Sequence, residues 1–193
     1  MARVDTSGDV LYRATTDSIT NLQATDTVAK SVNACSTLDH TAGSFRIPGS
    51  FMQYDLTRVR WEKAGASITI PVSADLSQVS YLQIDLAQDS GDERNRQQDQ
   101  SMTVTLRDVN GQNASVQVEA GTPALTWQKG TVENIPITGQ EDLLQYSTFT
   151  PLGTVRLDPE DFGSIDLSRI TQVTLTFDQP SGSIMLREIQ SVK

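Results

Sequence analysis

The sequence predicts an all-β fold, a two-sheet antiparallel β-sandwich with a partly irregular or helical N-terminal extension. Three observations carry this expectation. The C-terminal third is a succession of alternating segments, residues 152–157, 170–178 and 183–190, with a tight turn carrying Phe162 and Leu167 between the first two. The same period-2 alternation recurs in several segments from Leu56 onward. No helical pattern follows the strands regularly enough to build a parallel α/β sheet.

Residues 1–50 differ from the rest of the chain. They are rich in Thr, Ser, Asp and Ala and carry little alternation, so they are read as an extension or lead-in, with the sandwich domain spanning 51–193. Within the lead-in, Ile19, Leu22, Val28 and Val32 fall at loosely helical spacing after Asp17 or Ser18 as a possible N-cap, against the β-branched content of the same stretch. Gly43, Pro48 and Gly49 punctuate the approach to the first strand.

In residues 57–61, Val59 and Trp61 share a face opposite Arg58 and Arg60. Ile68, Ile70 and Val72 are in phase in the next strand, and the short turn Lys63-Ala-Gly65 makes the two a candidate hairpin. Pro71 has no N–H to give a ladder, so that strand ends at an edge or a bulge. Leu82, Ile84 and Leu86 alternate with Tyr81, Gln83 and Asp85, after which residues 88–100 form a charged, amide-rich loop. Met102, Val104 and Leu106 begin a second hairpin that turns at Asp108-Val-Asn-Gly111 into residues 114–118. Residues 119–148 read as a crossing connection with a short helical candidate at 141–145. Asp178-Gln-Pro-Ser-Gly182 reads as a final hairpin turn.

Composition narrows the function classes. A net charge of −9 without a compensating Lys/Arg stripe disfavours nucleic acid. No apolar run approaches the roughly 20 residues that span a bilayer, so membrane insertion is not expected, and Met1-Ala-Arg-Val-Asp5 lacks the apolar core of a signal peptide. The single cysteine, Cys35, forms neither an intrachain disulfide nor a Cys-based zinc site. The single histidine, His40, would have to be the base of any Ser-His-Asp triad. It lies near Cys35, Ser36 and Asp39, but no Gly-x-Ser-x-Gly elbow is present. Neither a P-loop nor a dinucleotide fingerprint occurs.

The residues Arg58-Val-Arg-Trp61, Tyr81-Leu-Gln-Ile-Asp-Leu86, Val104-Thr-Leu-Arg-Asp-Val-Asn-Gly111 and the ending from Val155 through Ile165-Asp-Leu-Ser-Arg-Ile170 and Val173-Thr-Leu-Thr-Phe177 to Gly182-Ser-Ile184 carry a resemblance. Over residues 55–190 the chain resembles the galactose-binding-like jelly-roll modules attached to secreted bacterial hydrolases and other polysaccharide-active proteins. That resemblance implies a jelly roll, often with a structural calcium, acting as an accessory domain outside the cytoplasm, extracellular or on the cell surface. It places no sugar-binding aromatic platform on definite positions.

Candidate residues emerge from the chemistry. An exposed ring can stack on a sugar while amides and carboxylates fix its hydroxyls. Among Trp61, Trp127, Tyr54, Tyr81 and Tyr146, Trp61 reads as core because it is in phase with Val59. The ligand-binding candidates are Trp127, in an irregular polar segment, and Tyr81 with its face-mates Gln83 and Asp85. The acidic loop offers Asp89, Asp92 and Glu93 as calcium ligands, since clustered oxygens suit a hard cation; Arg94 and Arg96 in the same loop offer ion pairs as the alternative. Asn113-Ala-Ser115 fits the N-glycosylation acceptor pattern. No acid pair is privileged as catalytic.

The expected function is therefore a non-catalytic carbohydrate-binding or accessory module of an extracytoplasmic bacterial protein, partnered by a carbohydrate or a neighbouring catalytic domain. The alternatives are a structural or protein-docking sandwich and a carboxylate-dependent polysaccharide hydrolase or lyase.

Overall fold

The computed structural model describes residues 8–15, 17–36, 53–89, 92–127 and 152–193. Its strands are β1 (Val10–Arg13), β2 (Gln23–Ala24), β3 (Val28–Ser36), β4 (Gln53–Trp61), β5 (Ser67–Ala74), β6 (Tyr81–Gln88), β7 (Met102–Asp108), β8 (Asn113–Val118), β9 (Gly153–Leu157), β10 (Ile170–Phe177) and β11 (Gly182–Val192). One α-helical turn, α1 (Ser18–Asn21), precedes β2. They form two antiparallel sheets. The first runs β3-β4-β11-β6-β9, with β1 also paired to β11; the second runs β2-β5-β10-β7-β8.

The sheets face each other through the expected alternation. Val59 and Trp61 of β4, Leu82, Ile84 and Leu86 of β6, Val104 and Leu106 of β7, Val173 and Leu175 of β10, and Ile184 and Leu186 of β11 are fully buried between them. Strand β11 lies in the middle of the first sheet and is buried along nearly its whole length. The β7–β8 hairpin forms as its sequence indicates, with Asp108 Oδ1 accepting the N–H groups of Asn110 (2.8 Å) and Gln112 (2.9 Å). Pro71 lies at a register shift in β5, beyond the two residues of β2 that cover that edge.

Two expected hairpins are corrected. Strand β4 belongs to the first sheet and β5 to the second, and β10 and β11 are divided in the same way, so both short turns cross between the sheets. The cause is an aromatic pair between the layers. Trp61 stacks on Phe177 with ring centroids 4.0 Å apart and planes within 9°, and the indole N–H donates to the carbonyl of Gln179 (3.0 Å). Burying two such rings outweighs the ladder that a hairpin would add at this point. Gly182 fits beneath the pair because it has no side chain: a Cβ there would fall 2.2 Å from the Trp61 ring.

The boundary at residue 50 is corrected as well. Residues 8–36 supply β1 and β3 to the first sheet and β2 to the second, and they contribute Tyr12, Ala14 and Leu22 to the core. The helix considered over residues 17–34 is the single turn α1, while Val28 and Val32 lie in β3. Strands β1 and β2, of four and two residues, are too short to show a period, and in β3 the alternate positions Val28, Lys30, Val32, Ala34 and Ser36 mix apolar and polar residues, which is why this stretch reads as irregular. In residues 119–127 the chain makes a 3-10 turn, Pro123–Leu125. The helical candidate at 141–145 and residues Tyr146, Asp39 and His40 lie outside the described residues.

Candidate functional site

The outward side of the first sheet brings together residues distant in sequence. Residues directly opposite in an antiparallel ladder share a face. The pairings Arg156–Gln83, Gln83–Gln190 and Gln190–Val10 therefore make one row across β9, β6, β11 and β1. Thr154–Asp85, Asp85–Glu188 and Glu188–Arg13 make the next. Tyr81 stands one position further out on β6, opposite Val192.

The polar groups of these rows hold one another in place. Asp85 Oδ1 accepts from Gln83 Nε2 (3.1 Å) and Thr154 Oγ1 (2.8 Å). Arg13 forks onto Glu188, with Nε 3.1 Å from Oε2 and Nη2 3.0 Å from Oε1. The hydrogen bond and charge of Glu188 hold the Arg13 guanidinium above its ordinary pKa. The Arg156 guanidinium lies 4.8 Å over the Tyr81 ring, so one face of that ring is occupied by a cation. Amide, carboxylate, hydroxyl and guanidinium groups thus converge on one side of the sheet, where Glu188 is buried beneath Arg13 and the others are half-buried or exposed.

Of the four sequence-derived ligand candidates, Tyr81, Gln83 and Asp85 lie together on this surface. Trp127 is elsewhere. Its backbone N–H donates to Asp99 Oδ1 (2.8 Å), and Gln100, next to Asp99, is tied to Gln88 at the far end of β6 (3.1 Å), about 23 Å along the strand from Tyr81 at a rise of about 3.3 Å per residue. The Trp127 indole nitrogen is buried without a partner among the described residues. Trp61 is core, as its phase with Val59 indicates. The sequence reading missed Arg156, Thr154, Glu188, Gln190 and Arg13. Thr154 and Arg156 alternate with the buried Val155 and Leu157, a readable signal of an outward face, but no sequence signal places that face beside β6.

The acidic loop is organised by arginines. Asp89 Oδ2 is 3.0 Å from Arg58 Nε, an ion pair off the N–H axis. Asp92 accepts from Arg60 Nε (2.7 Å), Arg94 Nη1 (3.0 Å) and the Arg94 backbone (3.1 Å), while Glu62 takes the remaining arm of Arg94 (2.6 Å). Asn95 continues the ladder where β6 ends: its amide donates to the carbonyls of Asp89 (2.7 Å) and Ser183 (2.6 Å), and its oxygen accepts the Ser183 N–H (3.1 Å). Glu93, the third metal candidate, is exposed. Three guanidinium groups around two carboxylates do not suit a calcium ion, and among the described residues no group of three or more His, Cys, Asp or Glu side chains is placed to hold a metal.

Asn113 and Ser115 lie on β8, and Cys35 and Ser36 end β3. Among the described residues no helix is long and apolar enough to cross a membrane.

No protein-family model and no curated protein matches the sequence. Solved structures do. A family 11 carbohydrate-binding module from Clostridium thermocellum, determined in complex with a β-1,3-1,4-mixed-linked tetrasaccharide, is similar with a TM-score of 0.50 and 10% identity, over 99% of this chain and 97% of that one. An exo-β-agarase is similar with a TM-score of 0.51 and 11% identity, over 96% of this chain but only 25% of the enzyme. At such identities the likeness speaks for architecture. The chain has the two-sheet jelly-roll fold found in carbohydrate-binding modules.

Proposed function

We propose that this chain is a non-catalytic carbohydrate-binding module that takes a neutral glycan on the outward face of the first sheet and serves as an accessory to a polysaccharide-active catalytic domain outside the cytoplasm. The observation that supports this reading is the pair of polar rows Arg156-Gln83-Gln190 and Thr154-Asp85-Glu188-Arg13, set on a fold that carries a glycan in the family 11 module. The charges within the rows, Arg13 and Arg156 against Asp85 and Glu188, balance, which suits an uncharged ligand. Both carboxylates act as hydrogen-bond acceptors inside the rows, a positioning role.

The test is a glycan array containing β-glucan, xylan and agarose oligosaccharides, followed by titration of the wild-type chain and of Gln83→Ala, Asp85→Ala and Arg156→Ala against whatever binds. A lost hydrogen bond to a charged group is worth about 1.5–3 kcal/mol, so Arg156→Ala weakens binding by about tenfold or more, and Asp85→Ala weakens it by releasing Gln83 and Thr154 from their positions. Silence of the wild-type chain across the array would reject the reading.

A further inference from the structure

Strand β8 is an edge of the second sheet, and its sequence Asn113-Ala-Ser-Val-Gln-Val118 has none of the devices that close an edge. Exposed edges carry unpaired N–H and C=O groups, and proteins blunt them with charge, proline, bulges, shortness or a cover. The other edges follow that rule. Strand β2 is two residues long. Strand β9 carries Arg156 and lies against Ala124 of the turn Pro123–Leu125. Strand β3 carries Lys30, whose ammonium donates to the carbonyls of Ile19 and Leu22 and ties α1 to it. By contrast β8 is uncharged, has no proline and runs against β7 without a shift in register, although the whole chain bears a net charge of −9.

The ladder determines which groups point outward. Bonded and non-bonded pairs alternate along an antiparallel ladder. The Asp108 N–H donates to the Gln112 carbonyl (3.0 Å), so Ala114, Val116 and Val118 are the next bonded positions, and the N–H and C=O groups of Asn113, Ser115 and Gln117 point away from β7. The side chains agree, since non-bonded pairs approach more closely: the Ser115 hydroxyl is 2.8 Å from that of Thr105, and Gln117 Oε1 accepts from Thr103 Oγ1 (2.8 Å). Asn113, Ser115 and Gln117 are all exposed. The free edge is therefore symmetric about Ser115.

We infer that β8 pairs antiparallel with β8 of a second copy of this chain, on a two-fold axis at Ser115. In that register Ser115 lies opposite the second copy's Ser115 and Asn113 opposite its Gln117, and each of these pairs exchanges both hydrogen bonds, so every outward N–H and C=O of the edge is used. The flanks favour a copy of this chain over a strand of another protein. Glu119, exposed one residue beyond β8, falls opposite the second copy's Gly111. The Arg107 guanidinium lies over Gly111, with Nη2 3.3 Å from where a Cβ would be. Neither Glu119 nor Arg107 is in an ion pair among the described residues. Opposite charges therefore meet at both ends of the shared ladder. Antiparallel pairing within one sheet keeps the faces of both copies on the same side, so on the carbohydrate-binding reading the pair presents two first-sheet faces to one polysaccharide and gains avidity. The pairing itself does not depend on that reading.

The experiment is analytical ultracentrifugation of the full chain at rising concentration, without glycan, for the wild type, Ser115→Lys, Arg107→Glu and the exchange of Arg107→Glu combined with Glu119→Arg. Ser115→Lys sets like charges directly opposite each other on the axis, from an exposed position. The expected result is a wild-type mass that rises from 21.1 kDa towards twice that value, association about tenfold weaker in each single variant, recovery in the exchanged pair, and an unchanged melting temperature in dilute samples. A wild-type chain that stays at 21.1 kDa at every concentration would overturn the pairing and leave the edge to a strand of another protein. A dimer indifferent to Ser115→Lys would place the contact elsewhere, and one indifferent to Arg107→Glu, or not restored by the exchange, would overturn the register. If Ser115→Lys melts early, the charge exchange alone decides.

Discussion

Replacing Asp92 by Asn separates a loop held by arginines from a loop held by a cation. The carboxylate is 3% exposed, while its partners Arg60 and Arg94 are 41% and 36% exposed, so the network lies between two regimes. Breaking a buried pair costs about 3–5 kcal/mol and an exposed one about 0–1. About 2 kcal/mol is the corresponding loss here. For a chain of 193 residues each kcal/mol moves the melting temperature by about 2–4 °C, so Asp92→Asn melts about 6 °C lower in a calorimetric scan.

The acid side of the stability profile changes with it. Burial alone would push the Asp92 carboxyl up, but the backbone N–H and guanidinium of Arg94 and the guanidinium of Arg60 outweigh it and hold the carboxyl below its ordinary value of 3.8. The stabilisation is therefore fully present above that value and disappears as the pH falls through the lower folded one. The Asn variant shows a shallower loss in that acid window. EDTA leaves the melting temperature of the wild-type chain unchanged. A melt lowered by EDTA and restored by added Ca²⁺ would refute this account, because ligand linkage would then show a cation bound to the folded state.

Three further outcomes test the packing. Trp61→Ala removes a fully buried ring stacked on Phe177 and is expected to cost about 4 kcal/mol in urea unfolding; a loss under about 1 kcal/mol would mean that the sheet crossing does not depend on it. Gly182→Ala places a methyl group against the Trp61 ring and the Gln100 amide, lowering stability by about 2 kcal/mol, and a neutral result would contradict the close approach. Gln97 has a φ of 58°, in the left-handed region, so Gln97→Gly relieves backbone strain and raises the melting temperature slightly, an increment set by the roughly 1 kcal/mol penalty of that conformation; a lower melt would show that Gln97 is held there by its side chain.

Much of the layer structure was readable one strand at a time. Leu82, Ile84 and Leu86 against Tyr81, Gln83 and Asp85 is a period of two, and the pleat turns that period into a buried and an outward face whatever the rest of the chain does. The turn at Asp108-Val-Asn-Gly111 was readable because the local backbone demands of the hairpin select those residues. A turn as short as residues 62–66, by contrast, suits a hairpin and a crossing between sheets equally. Trp61 and Phe177, remote in sequence, decide between them by stacking.

The sequence by itself determined which side of each longer strand is apolar, that Trp61 is core, and that the outward side of β6 offers Tyr81, Gln83 and Asp85. It also brought Arg94 and the acidic loop residues within reach of one another. Only the tertiary structure decided which strands are neighbours: that Arg156, Gln83, Gln190 and Val10 form one row, and that Arg58 and Arg60 reach Asp89 and Asp92. The reason is physical. Facing is a local property set by the two-residue pleat, whereas neighbourhood is set by the burial of whole sheets against each other, a sum over contacts that no single segment contains.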